Sequence, residues 1–133
     1  MKVSVIIERG QDGTYGAYIG TDNVPFGIIG DGKTVQDAKA DFLNSYEEMK
    51  TYYFETNKKF TPYEFEFKLD VASFLAYYGS ILSLSGLERL TGVNQGQLSH
   101  YVTGRRKPSK KTIEKIETKL HEFGSELNQI QFI

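Results

Sequence analysis

Residues 85–108, SGLERLTGVNQGQLSHYVTGRRKP, constrain the fold most, because they spell two short helices meeting at a tight turn. Ser85 stands three residues before Glu88, a capping box in which each side chain takes a free backbone N–H at a helix start. Leu87 and Leu90 give that helix an apolar side, and Gly92 supplies the permissive backbone for a sharp turn. Asn94 is the expected cap of the second helix, with Gln97 at the reciprocal capping position. Leu98 and either Tyr101 or Val102 fall on its inner side, and Gly104 ends it. Gln95, Gln97, Ser99 and His100 are left for the outer face and the leading end. Amide and hydroxyl groups there suit base edges and phosphates in a major groove.

Charge points the same way. The chain is nearly neutral, at net −1, but the two signs are unevenly spread. Residues 1–70 hold eight Lys/Arg against twelve Asp/Glu, hence −4, whereas residues 85–133 hold eight against five, hence +3. No acidic residue lies between Glu88 and Glu114, a span containing Arg89, Arg105, Arg106, Lys107, Lys110 and Lys111. Phosphate neutralisation supplies much of protein–DNA affinity, so a basic stretch free of acids beside a capped helix pair reads as a nucleic-acid surface.

The helix pair resembles the helix-turn-helix of Cro- and Xre-like repressors. The resemblance implies that Gln95, Gly96, Gln97 and His100 face the groove, with Gln95 and Ser99 also placed to bond the phosphate backbone. Gly104-Arg105-Arg106-Lys107-Pro108 looks like that family's basic loop after the recognition helix. Gly96 departs from the usual polar residue there, which removes one direct contact. The plainer alternative is a helical hairpin, or a helix-turn-helix that binds protein.

At 133 residues the chain accommodates one domain or two small ones, and 39 % hydrophobic residues with nine Tyr and nine Phe suffice for packed cores. The absence of cysteine excludes disulfides, thiolate chemistry and cysteine-based metal sites. His100 and His121 stand too far apart for a metal-ligand pattern, so neither a metal nor another cofactor is expected. The start MKVSVII is too short for a signal-peptide core, and no apolar run reaches membrane-spanning length. A cytoplasmic protein is expected.

The first seventy residues follow a different pattern. Val3–Ile7 and Tyr15–Ile19 are short strand candidates separated by the turn-forming Gly10-Gln11-Asp12-Gly13. Phe26–Ile29, entered through Pro25, is a third. Thr34 then caps a long helix, with Asp37 completing a capping box, and Val35, Ala38, Phe42, Tyr46, Met49 and Tyr53 fall on one face. Residues 63–70, YEFEFKLD, alternate strictly, as in a strand with one wet face. The predicted order is β-β-β-α-β.

This block resembles the HicB-type antitoxin domain, a shortened ribonuclease-H-like fold. The likeness is carried by Tyr15–Asp22 and by residues 27–38, GIIGDGKTVQDA, where a strand runs through a Gly/Asp turn into a Thr-capped helix. The family's Pro-Asp-Leu-Pro-Gly segment appears here as residues 21–27, TDNVPFG, a clear departure. A HicB-like domain followed by a helix-turn-helix is a common pairing. The resemblance implies a domain that binds and masks a small RNA-cleaving HicA-type toxin.

Two enzymatic readings arise and fail on context. Residues 27–34, GIIGDGKT, satisfy the phosphate-loop pattern G-x-x-x-x-G-K-S/T, which would place Lys33 on phosphates and Thr34 on Mg²⁺. A phosphate loop needs a buried strand before it, but Thr21–Pro25 is polar and broken by proline. The plainer expectation is a strand at Phe26–Ile29, a turn at Gly30–Lys33 and a cap at Thr34. A ribonuclease-H-like nuclease needs clustered carboxylates, one near the middle of its first strand, where this chain offers only Ser4, with Glu8 at the end. Asp31, Asp37, Asp41 and Glu47 read as turn, cap and solvated-helix residues, so no catalytic residue is assigned and the chain is not expected to be an enzyme.

Asp70 can cap a helix through Phe74, Leu75 and Tyr78, with Gly79 near its end, and Ile81, Leu82 and Leu84 lead into the helix pair. Ser109 caps a later helix with an inner stripe of Ile113, Ile116, Leu120 and Phe123, which Gly124 is expected to end. Lys111, Lys115 and Lys119 share another face and extend the basic surface. Residues 128–133, NQIQFI, read as a final strand whose free edge suggests self-association into a homodimer or higher oligomer. The expected fold is α+β: a partner-binding domain over 1–70, then an all-α helix-turn-helix domain over 71–133 with a C-terminal strand. The function expected is that of an antitoxin that masks a HicA-like toxin and represses its own operon by binding operator DNA. The alternative is a solitary transcriptional regulator whose first domain oligomerises or senses another partner.

Overall fold

Alternation in the first strand decides how the N-terminal half packs. The computed structural model describes residues 2–21 and 23–133; Asp22, part of the segment expected before the third strand, lies outside the described residues. Strand β1 (Lys2–Arg9) buries Val3, Val5 and Ile7 and leaves Ser4, Ile6 and Glu8 on the opposite face. It pairs antiparallel with β2 (Tyr15–Ile19), which pairs antiparallel with β3 (Ile29–Gly32). The β1–β2 turn is closed by Asp12, whose Oδ1 accepts from Thr14 N at 3.0 Å and from Thr14 Oγ1 at 2.7 Å. These bonds, the side-chain one foremost, hold the Asp12 carboxyl below the ordinary aspartate range.

Helix α1 (Val35–Glu55) then crosses the sheet, and β4 (Glu64–Leu69) returns parallel to β1, giving the strand order β3-β2-β1-β4. A parallel return to the far side of the sheet needs such a crossover, and the 21 residues of α1 span about 30 Å. The buried side of α1 is Val35, Ala38, Phe42 and Tyr46, the first four of the predicted face. Phe42 meets Phe65 and Phe67 of β4 edge to face, with ring centroids 5.1 and 5.8 Å apart. Truncating so central a ring to alanine typically costs about 3–5 kcal/mol. The other face of β4, with Glu64, Glu66 and Lys68, is exposed, as its alternation predicted.

The third strand lies three residues beyond its expected place, running from Ile29 to Gly32 instead of from Phe26 to Ile29. Phe26 leaves the sheet for an aromatic cluster, its centroid 5.9 Å from that of Tyr63 and 6.1 Å from that of Tyr53. Gly30 and Gly32, expected in a turn, let α1 lie directly on the strand. A Cβ at Gly30 would stand 2.3 Å from Phe42 N, and one at Gly32 would stand 2.5 Å from Asp37 Cβ. The Thr34 cap is as expected, with its Oγ1 accepting from Asp37 N at 3.0 Å.

The chain divides into two compact units, the first ending at Ser73 and the second starting at Phe74. Helix α2 (Val71–Tyr78) therefore begins in the first unit, where Asp70 Oδ2 accepts from Ser73 N at 3.2 Å and buried Ser73 accepts from Arg9 N at 2.9 Å. The second unit continues through α3 (Leu84–Thr91), α4 (Gln95–Val102) and α5 (Lys110–Asn128).

Two expectations about its end are corrected. Gly124 does not stop α5, which continues to Asn128. Glycine ends a helix chiefly where a left-handed residue is needed, and the positive-φ glycines of the described chain are Gly13, Gly92 and Gly104. Residues 128–133 form no strand; Gln129 N and Ile130 N bond to Glu126 O and Leu127 O, so the backbone leaves the helix in a turn. The alternation of Gln and Ile there is too short to specify a strand without a neighbour to pair with.

Candidate nucleic-acid interface

The helix pair is held together by a few buried side chains. Leu87 and Thr91 of α3 and Leu98 and Tyr101 of α4 are all at most 6 % exposed, and Val93 fills the turn between them. Thr91 is buried without penalty because its hydroxyl donates to Leu87 O at 2.7 Å and accepts from Val93 N at 3.2 Å. Gly92 takes the left-handed conformation, with φ at 75°, and its N–H bonds to Glu88 O at 2.8 Å. Val102, the other candidate for the inner side of α4, is 38 % exposed.

The first cap differs from its expected position. Ser83, not Ser85, caps α3, accepting from Gly86 N at 3.0 Å, and Ser85 lies inside the helix. Both serines suit a cap by residue type, and the helix starts at the earlier one. Instead of closing a capping box on its own helix, Glu88 reaches across the turn and accepts from Gln95 N at 2.8 Å. Asn94 caps α4 as expected, its Oδ1 accepting from Gly96 N at 2.7 Å. Two of the free N–H groups at the leading end of α4 are thus filled, one from each side of the turn.

These caps fix where the predicted contact residues stand. Gln95, Gly96 and Gln97 are exposed on the first turn of α4, and Ser99 and His100 are half-buried farther along. Arg105, Arg106 and Lys107 are exposed in the loop beyond it. Gly104, with φ at 76°, turns the chain back so that Arg106 N bonds to His100 O at 3.3 Å. The basic loop is therefore tied to the helix that precedes it. Ser109 caps α5 by accepting from Thr112 N at 3.2 Å, and the first turn of α5 carries Lys110 and Lys111 with no acid. Cations there oppose the helix dipole, a cost of about 0.3–1 kcal/mol each that a bound phosphate would relieve. The rest of the expected lysine face is less uniform. Lys115 lies at the Gly92 turn, its Nζ 3.3 Å from where a Cβ on that glycine would stand, and Lys119 pairs with Glu122 at 3.4 Å.

The role of Glu88 was not foreseen from the sequence. Its signal is an acid on the first helix six residues ahead of the Asn94 cap, able to turn toward the second helix. The phosphate-loop lookalike has a different geometry from a nucleotide cradle. It lies on an edge strand antiparallel to its neighbour, its Gly30 and Gly32 are covered by α1, and Asp31 N donates to Asp41 Oδ2 at 2.9 Å. Among the described residues no three His, Asp or Glu side chains gather as a metal site.

Residues 80–121 match the family described as helix-turn-helix. The match takes in α3, α4 and the first part of α5, and the sheet unit lies outside it. No curated protein and no solved structure matches the chain. No helix of the described residues is long and apolar enough to cross a membrane. The second unit thus carries a helix-turn-helix of the kind used by DNA-binding transcriptional regulators.

Proposed function

We propose that the chain is an autoregulatory antitoxin of the HicB-like kind: its sheet unit masks a small RNA-cleaving, HicA-like toxin, and its helix-turn-helix represses the shared operon. The observation that carries this is the joining of an acidic β-β-β-α-β unit to a basic helix-turn-helix. The parallel return of β4 beside β1 supports the shortened ribonuclease-H-like reading of the first unit, and its excess of carboxylates suits a basic RNA-binding partner. On this reading Gln95, Gln97 and His100 read bases, Gly96 lets the backbone close on the groove, and Ser99, Arg105, Arg106 and Lys107 hold phosphates. The protein acts by binding, without catalysis, metal or cofactor, and works in the cytoplasm.

The test is co-expression with the product of the adjacent reading frame. Rescue of growth and co-purification of the two proteins are expected. A well-folded chain that neither binds nor neutralises the neighbouring product sinks the antitoxin reading. The second reading, a solitary regulator, is favoured by the confinement of the family match to residues 80–121, and it is what that outcome would leave.

A further inference from the structure

The two edges of the four-stranded sheet are finished differently. At β3 the edge is closed: the strand is four residues long, α1 lies directly on it at Gly30 and Gly32, and the Asp31 N–H is taken by Asp41 Oδ2 at 2.9 Å. At β4 the edge is open. All six residues from Glu64 to Leu69 pair with β1 on one side, and among the described residues no group hydrogen-bonds along the other. The strand carries no proline, glycine or bulge, devices that commonly keep an edge from pairing. Helix α1 packs chiefly over β3 and β2, and on the helix side of β4 Phe65, Phe67 and Leu69 are only half-buried. Glu64, Glu66 and Lys68 are exposed on the other side. Charges of a single sign would repel a second copy, but these are mixed.

We infer that β4 pairs antiparallel with β4 of a second copy of this chain, across a two-fold axis perpendicular to the sheet at Glu66. Each residue then faces the residue equally far from Glu66 on the other strand. On the exposed side Glu64 of each copy meets Lys68 of the other, and on the helix side Phe65 meets Phe67. Opposite-charge and aromatic pairs directly across two strands are the contacts that stabilise a sheet. The like-charge contact is Glu66 with its own copy at the axis, on the exposed side where water reaches both carboxylates. Neighbouring registers are worse. An axis at Phe65 sets Glu64 against Glu66 twice, and one at Phe67 sets Glu64 against Asp70 twice. Charge also selects the occupant. A basic strand from another protein would gain at Glu64 and Glu66 but meet Lys68 with like charge, whereas a second copy answers both signs. The edge is therefore complementary to itself, as a two-fold contact requires, and a dimer supplies the two helix-turn-helices that read paired half-sites. This edge takes the place of the terminal strand as the route to self-association. The inference rests on the sheet unit and not on the antitoxin reading.

Sedimentation velocity and amide hydrogen exchange on the full chain without DNA test it. A dimer is expected, and the β4 amides should exchange more slowly as concentration rises. Lys68→Glu and Glu64→Lys each set like charges at both ends of the pairing, so each should weaken the dimer by at least about tenfold while circular dichroism stays unchanged. Mixing the two variants should restore dimers, because one chain then offers acids at 64 and 68 to lysines at both positions of the other. A chain monomeric at about 100 µM overturns the inference, as does a dimer that both charge reversals leave intact. A dimer whose β4 amides exchange at the same rate at every concentration overturns it too. Loss of the dimer in the single variants without restoration on mixing overturns the antiparallel register at Glu66. A chain that dimerises through β4 but ignores DNA leaves the edge pairing standing and counts against the regulator reading only.

Discussion

Gln97 and Glu88 lie on opposite sides of one turn, and on the proposed DNA-binding reading they act by different routes. Gln97 is exposed on the first turn of α4 and can present a bidentate amide to a base edge. Its replacement by alanine should cost about 1–3 kcal/mol on the operator and little on scrambled DNA. Glu88 points at the protein, its carboxylate on Gln95 N. Glu88→Ala frees the leading end of α4 and removes a negative charge from beside it, so operator affinity should fall while affinity for scrambled DNA holds or rises. Parallel titrations on the two DNAs check both, and circular dichroism separates Glu88→Ala from simple unfolding. Equal losses on both DNAs for Gln97→Ala would remove that residue from sequence reading.

The elements differ in how plainly their sequences announced them. Helix α4 was legible because Asn94, Leu98, Tyr101 and Gly104 each fix a local property, namely cap, packing and stop. Helix α3 was legible except for its first residue, since Ser83 and Ser85 satisfy the same local rule for a cap. Strand β3 was misplaced because Gly30 and Gly32 are turn formers by local preference. Their use here, letting α1 touch the strand, is a tertiary fact. The end of α5 was missed for a similar reason: Gly124 interrupts helix propensity, but the apolar spacing continues past it.

Gly30→Ala should therefore destabilise the fold by about 1–3 kcal/mol or more, because the added carbon meets the backbone of α1. Gly27→Ala, with nothing within 4 Å of its Cβ, should be nearly neutral. Urea denaturation of the two variants separates them, and equal stabilities would count against the packing assigned to β3. In the second unit, neutralising Arg105, Arg106 and Lys107 should weaken binding to all DNA. The log–log salt slope should flatten by about 0.9 for each phosphate that is no longer neutralised. An unchanged slope would place the loop outside the interface.

For the whole molecule, the proposed antitoxin reading turns the uneven charge into a division of labour. Residues 1–70 carry a net −4 and residues 85–133 a net +3, so a basic protein and a nucleic acid are drawn to different parts of one chain. If the antitoxin reading holds, the two activities can be separated without breaking the fold. The full chain with Arg105→Ala and Arg106→Ala should still rescue cells from the neighbouring toxin, because those exposed side chains belong to the helix-turn-helix unit, whereas repression of an operon reporter should fall. Reversing acids on the exposed face of β4, as in Glu64→Lys with Glu66→Lys, should slow toxin association and make its rate less sensitive to salt, while leaving operator binding intact. Growth rescue, reporter repression and association rates at two ionic strengths read these effects independently. Should the arginine variant lose rescue and repression together while remaining folded, toxin capture would depend on the basic loop, and the charge division would not be the division of function.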